Sequence, residues 1–155
     1  MPIRVALYQP DIPQNTGTIL RTAACLGFVV DLIEPAGFSL TDRALTRAGL
    51  DYIERAGLVR HASWDQFVAA RHDVGGRLLL LTTRAETRHV DFGFRDGDTL
   101  LFGRESAGAP EAVHAAADHR LRIPMVDGVR SLNLAVAVGL VAGEALRQTG
   151  GFAPA

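Results

Sequence analysis

Short apolar runs of β character alternate with helical stretches along nearly the whole of this 155-residue chain. That alternation restricts the fold more than any other feature. "IRVALYQ", "FVVDLIE", a weaker run at 58–60, "RLLLLTT", "DTLLFG" and "HRLRIP" have the length and apolar content of strands. The stretches between them have helical punctuation. Asn15 stands where a cap would open "TGTILRTAACLG", and Gly27 where a helix would stop. Pro10 and Pro13 are expected to keep the preceding loop out of a helix. Thr41 or Asp42 would cap "LTDRALTRA", Ser63 would cap "SWDQFVAAR", and Pro110 would occupy the first turn of "PEAVHAAA". The run "RLLLLTT" shows no polar alternation, as expected of a strand covered on both faces. The pattern predicts one α/β domain over residues 1–155, a mainly parallel sheet with helices on both faces, and a frayed tail at 149–155.

In an open sheet of this kind, ligands sit at the carboxyl ends of the strands. Three loops there are rich in Gly, Pro and polar residues: "YQPDIPQNTGTILR", "LFGRESAGAP" and "IPMVDGVRSLNL". In the last, Arg130, Ser131 and Asn133 stand at the mouth of an otherwise apolar helix, with Ser131 as the expected cap. The glycines of the second loop admit close backbone approach to a ligand. The loop has no Lys after its glycines and does not match a Walker or dinucleotide fingerprint. Singly, Asn15 reads as a cap, Arg21 as a solvated charge off the Ile19, Leu20, Ala23, Ala24 stripe, and Glu105 as a loop charge. Their occurrence together on strand-end loops points to a site.

Composition narrows the function classes. A formal net charge of −1 supplies no global attraction to nucleic acid, though a local patch is still allowed. Every basic residue is Arg, so a phosphate contact would use a planar fork. Cys25, the single cysteine, lies in an apolar helical pattern and is expected in the core. The five histidines show no metal-ligand spacing. The start "MPIRVALYQP" does not resemble a secretory signal, and the apolar run at 134–143 is too short to span a bilayer, which predicts a cytoplasmic protein without membrane association.

Taken in order, "PDIPQNTGTILR", "LFGRESAGAP" and "IPMVDGVRSLNLAVAV" resemble the three motifs of the SPOUT class of RNA methyltransferases. The compact YibK/TrmL branch, tRNA (cytidine/uridine-34)-2′-O-methyltransferases, is the most similar. "RAGLDY" at 47–52 adds to a resemblance that covers residues 5–148. The resemblance implies a C-terminal trefoil knot, a homodimer, and S-adenosylmethionine without a metal. It implies methyl transfer to the ribose 2′-OH of the wobble nucleotide of leucine tRNAs. Carried over by position, cofactor contacts fall on Leu81, Thr82, Gly103, Glu105, Ile123, Met125, Ser131 and Leu132. Arg21 would stabilise the developing oxyanion or act as base, with Asn15, Ser131 and Asn133 orienting the ribose. Two departures stand out: "FGRE" where relatives often have "FGPE", and Gly143 before Glu144 where some carry an aromatic residue. The same chemistry on another RNA such as rRNA, or a non-catalytic cofactor- or RNA-binding module, are the alternatives.

Overall fold

The computed structural model describes residues 1–39, 41, 43, 47 and 55–155. Among them the elements run β1 (Arg4–Tyr8), α1 (Pro13–Leu26), β2 (Val29–Ile33), β3 (Val59–His61), α2 (Trp64–Val74), β4 (Leu78–Leu81), β5 (Thr99–Phe102), α3 (Glu111–Ala116), β6 (His119–Leu121) and α4 (Leu134–Thr149), with a 3-10 turn at His89–Asp91. The helix expected over "LTDRALTRA", its caps and the "RAGLDY" stretch fall largely outside the described residues.

The six strands form one sheet in the order β3-β2-β1-β5-β4-β6, and every pairing is parallel. Its two faces carry separate cores. Val5, Leu7, Val30, Leu32, Leu79, Leu100 and Phe102 pack under α1 and α4 through Ile19, Leu20, Val138, Val141 and Leu146. Ala6, Ile33, Leu78, Leu80 and Leu101 pack under α2 and α3 through Phe67 and Val113. Successive leucines of β4 therefore enter opposite cores, which is why that strand is apolar throughout. Burying each such side chain contributes roughly 1.5–3 kcal/mol.

A buried ion cluster ties the first three strands together. Arg4 donates to both oxygens of Asp31, each at 2.8 Å, and His61 Nε2 lies 2.7 Å from Asp31 Oδ1. The pairing lets a carboxylate sit inside a sheet, where an unpaired one would be costly.

Several local expectations change. Helix α1 begins at Pro13, so this proline opens the helix: its missing N–H is one the first turn leaves unbonded anyway. The cap position is Ile12, without a side-chain cap bond, and Asn15 lies inside the first turn. Asn133, not Ser131, caps α4, its Oδ1 accepting from the N–H groups of Ala135 and Val136. Pro110 occupies the cap position of α3, just ahead of the first turn. Cys25 is exposed, because it falls off the α1 stripe that buries Ile19, Leu20 and Ala23. Ser63 caps α2 as expected, accepting from Gln66 N–H. The last helix keeps its order to Thr149, closes on Gly150 in the left-handed region, and leaves 150–155 exposed.

Candidate active site

The carboxyl ends of β1, β4, β5 and β6 open onto one cleft. After β1, Gln9 takes a positive φ of 44°, a conformation uncommon for a side-chain-bearing residue, and its N–H still bonds to Ile33 O at 2.9 Å. This sharp exit sends the chain through 10–12 straight into α1. After β5, residues 103–110 form a tight loop closed by reciprocal bonds between the backbones of Arg104 and Gly108, at 2.9 and 2.8 Å. Gly103 is required by that closure. A Cβ there would lie 2.5 Å from Gly108 C and 2.6 Å from Ala109 N. The glycine makes room for the chain's own turn.

After β6, the chain is clasped by the segment that follows β4. Thr82 N–H bonds to Leu121 O, Arg122 N–H to Thr87 O, and His89 N–H to Arg122 O, at 2.8 to 2.9 Å. It then runs through 123–133 to α4, which returns to the middle of the sheet and packs against α1 and β5. There Asn133 Nδ2 donates to Asn15 Oδ1 at 3.0 Å, joining the first and last loops across 118 positions.

The cleft measures about 570 Å³ and is lined by Ile12, Asn15, Leu81, Thr82, Thr83, Phe102, Gly103, Arg104, Glu105, Gly108, Ala109, Arg130, Ser131, Leu132, Asn133, Leu134 and Ala137. An adjoining recess of about 100 Å³ adds Ile123 and Met125. The cleft's size lies in the range of small-molecule sites. Leu81, Phe102, Ile123, Met125 and Ala137 give the recess apolar walls, and Thr82, Thr83 and Ser131 add hydroxyls. Such a donor set suits a cofactor that combines a flat base with polar groups. Every cofactor contact carried over in sequence lines one of these two spaces, as do Asn15 and Asn133. Arg21 does not; it lies on the exposed side of α1, about 9 Å along the helix from Asn15.

Sequence reasoning missed Asp11, which sits in the quoted "PDIPQ" stretch. Glu105 Oε2 accepts Asp11 N–H at 3.0 Å, and Ser106 Oγ donates to Asp11 Oδ2. Arg104 Nη2 lies 3.8 Å from the same Asp11 oxygen. The hydrogen bond from Glu105 holds the Asp11 carboxyl below its ordinary value, while burial first and Asp11 second push Glu105 up. The Glu105 side chain therefore grips the neighbouring loop at the cleft wall. The signal available in the sequence was only the pairing of an Asp in one loop with an Arg-Glu-Ser run in another.

The SpoU rRNA Methylase family model matches residues 2–143 of this chain. The chain belongs to that family. It is 54% identical over 153 residues to the tRNA (cytidine(34)-2'-O)-methyltransferase of Ancylobacter novellus, covering 99% of this chain and 97% of that one. A solved structure concerned with the 2-OH methylation of C/U34 on tRNA superposes with a TM-score of 0.89 at 49% identity, over 94% of this chain and 95% of the other. The SpoU methyltransferase AviRb from Streptomyces viridochromogenes, in complex with the cofactor AdoMet, superposes with a TM-score of 0.84 at 28% identity, over 94% of this chain and 59% of its own. The parallel sheet with helices on both faces is thus the fold of SpoU methyltransferases. Among the described residues no helix is long and apolar enough to cross a membrane.

Proposed function

We propose that this chain uses S-adenosylmethionine to methylate the ribose 2′-oxygen of nucleotide 34 in tRNA, acting on leucine tRNAs in the cytoplasm as a homodimer. The observation that carries the proposal is the full-length likeness to a tRNA (cytidine(34)-2'-O)-methyltransferase combined with a cleft that gathers the corresponding loops. The knot implied by the family is part of the proposal. The return of α4 from the edge strand β6 to the centre of the sheet supports it, as does the clasp of 82–89 around 121–122.

Leu81, Ile123, Met125 and Leu132 would enclose the adenine, and Thr82 and Ser131 would bond its polar edge and ribose. The loop carrying Gly103 and Glu105 would form the opposite wall. The cofactor, when bound, supplies an electrophilic methyl group. The remaining task is to align a weakly nucleophilic hydroxyl and stabilise its developing charge. Asn15 and Asn133, locked to each other, and Ser131 would orient the ribose. An RNA strand across the cleft mouth would meet the exposed Arg21, whose guanidinium would stabilise the oxyanion. Electrostatic stabilisation suits Arg better than base catalysis, because its proton is held far above neutral pH.

The homodimer reading is supported by α4. Val136 and Leu140 are 51% and 48% exposed, and among the described residues nothing lies within 4 Å of a Cβ added at Gly139 or Gly143. These positions form one uncovered stripe at helical spacing. Ala135 packs against the core.

The test is a map of 2′-O-methyl groups in RNA from a strain lacking the gene. Loss at nucleotide 34 of leucine tRNAs is expected. Intact tRNA with a missing rRNA methyl group would move the substrate to rRNA, and no missing methyl group would support a non-catalytic role.

A further inference from the structure

The Asp11–Glu105 contact has no place in the mechanism above, yet it joins two half-buried carboxyl groups. Asp11 Oδ1 and Glu105 Oε1 are both buried and, among the described residues, have no hydrogen-bond partner. The second oxygens are occupied: Asp11 Oδ2 accepts from Ser106, and Glu105 Oε2 accepts Asp11 N–H at 3.0 Å. Each of the two neighbouring carboxyl groups thus keeps one buried oxygen that no donor reaches. Carboxylates are acceptors only, so a hydrogen bond between these two oxygens requires a proton on one of them. Among the described residues the charged neighbours are few. Arg104 approaches Asp11 from the same loop as Glu105, Arg130 lines the cleft from the β6–α4 segment, and the first turn of α1 carries no acidic residue.

We propose that Asp11 and Glu105 hold one proton between them, and that this shared proton latches the β5–α3 loop to the β1–α1 loop and so positions Asn15 for the reaction. The inference rests on the methyltransferase reading for its effect on rate, but not for the latch itself. Burial and the Asp11 carboxylate both favour the proton on Glu105. Between the lowered titration of Asp11 and the raised one of Glu105, the pair carries a single negative charge. As pH rises through the Glu105 value, the shared proton leaves to solvent. Two adjacent carboxylates then repel, which works against the contact that joins the two loops. The sign for stability follows. The Glu105 contribution is complete below its ordinary value of 4.5 and is lost as pH rises through its raised value. The Asp11 contribution is present above its ordinary value of 3.8 and is lost as pH falls through its lowered one.

This makes Glu105 a positioning residue that reports pH. Glu105→Gln retains a donor for Asp11 and an acceptor for its N–H, without a proton to lose. Glu105→Ala removes both, and a displaced reactive geometry lowers rates by on the order of 10²-fold.

The experiment has two arms on the full-length protein. Carbon-13 NMR of carboxyl-labelled Glu, with the Glu105 signal assigned by its loss in Glu105→Gln, reads the titration directly. Single-turnover methyl transfer across the same pH range reads its consequence. The expected result is a Glu105 signal titrating above the ordinary Glu value and moving down in Asp11→Asn. The parent rate should fall across that same titration, Glu105→Gln should lose this falling limb, and Glu105→Ala should drop at every pH. A Glu105 signal at the ordinary value, or a falling limb unchanged in Glu105→Gln, overturns the latch. If the parent transfers no methyl group to any RNA, the methyltransferase reading fails, and the NMR arm still decides whether the proton is shared.

Discussion

Asn133 uses both ends of its amide at once: Oδ1 caps α4 through Ala135 and Val136, and Nδ2 donates to Asn15 Oδ1 at 3.0 Å. One side chain thus fixes where the last helix starts and where the first helix sits relative to it. The two roles separate by substitution. Asn133→Ala loses both and should cost about 1 kcal/mol for the cap, which lowers the melting temperature by roughly 2–4 °C in a chain of this size. Asn133→Asp keeps the capping oxygen but has no donor for Asn15. It should melt near the parent and yet lose methyl transfer about as far as Asn133→Ala does. Thermal unfolding with single-turnover rates checks this; a parental rate in Asn133→Asp would remove the Asn15 bridge from the mechanism.

Gly103 and Ser131 both line the cleft, and they should fail differently. A Cβ at Gly103 collides with the backbone of Gly108 and Ala109, which cannot swing aside as a flexible side chain would. Gly103→Ala should therefore cost about 1–3 kcal/mol of stability together with cofactor affinity. Ser131 is exposed and does not cap α4. Ser131→Ala should leave melting unchanged and weaken S-adenosylhomocysteine binding, measured by calorimetry, by about 1 kcal/mol, the worth of one ordinary hydrogen bond. Equal melting for the two variants would show that the 103–110 loop tolerates a side chain.

The architecture was legible in the sequence because apolar pattern reports burial. The β4 leucines entered both cores, as their unbroken run implied, and Trp64, Phe67 and Val68 share one face of α2 against the second core. The helix starts were less legible. Asn15 and Ser131 have the chemistry of caps, but Pro13 preset the first helix three residues earlier, and the cap of α4 fell to Asn133. Residue type alone does not say which of several neighbouring polar groups a helix will use. Asp11 and Glu105 were hidden for another reason. Their partnership joins loops 94 positions apart, and neither has a local pattern that foretells a carboxyl facing a carboxyl.

The open stripe on α4 makes the dimer testable without touching the cleft. Leu140 is exposed and is absent from the cleft lining. Leu140→Glu would bury a charge in an apolar interface, at a cost of several kcal/mol if the interface is real. Light scattering should report a dimer for the parent and a monomer for Leu140→Glu. The fold should survive, because this side chain is not part of either core. A parent that is monomeric at working concentration, or a Leu140→Glu protein that is still dimeric, would exclude this face.

Arg21 is the sharpest test of the proposed chemistry, because it stands on the exposed side of α1 and supports neither core nor cleft wall. Its loss should leave cofactor affinity and melting temperature close to the parent. Lys would keep the positive charge but lose the planar fork that can hold a ribose oxygen and a neighbouring phosphate together. Removing a positioned oxyanion donor costs on the order of 10²–10³ in rate. Arg21→Lys should therefore lose most of the single-turnover rate at saturating tRNA, a condition that separates chemistry from binding. Arg21→Ala should fall at least as far. If only tRNA affinity dropped, and dropped equally for Lys and Ala, Arg21 would be a phosphate contact remote from the reacting oxygen. If both variants kept parental rates and affinity, the oxyanion would have to be stabilised from within the cleft, where Arg104 and Arg130 are the cations in its lining.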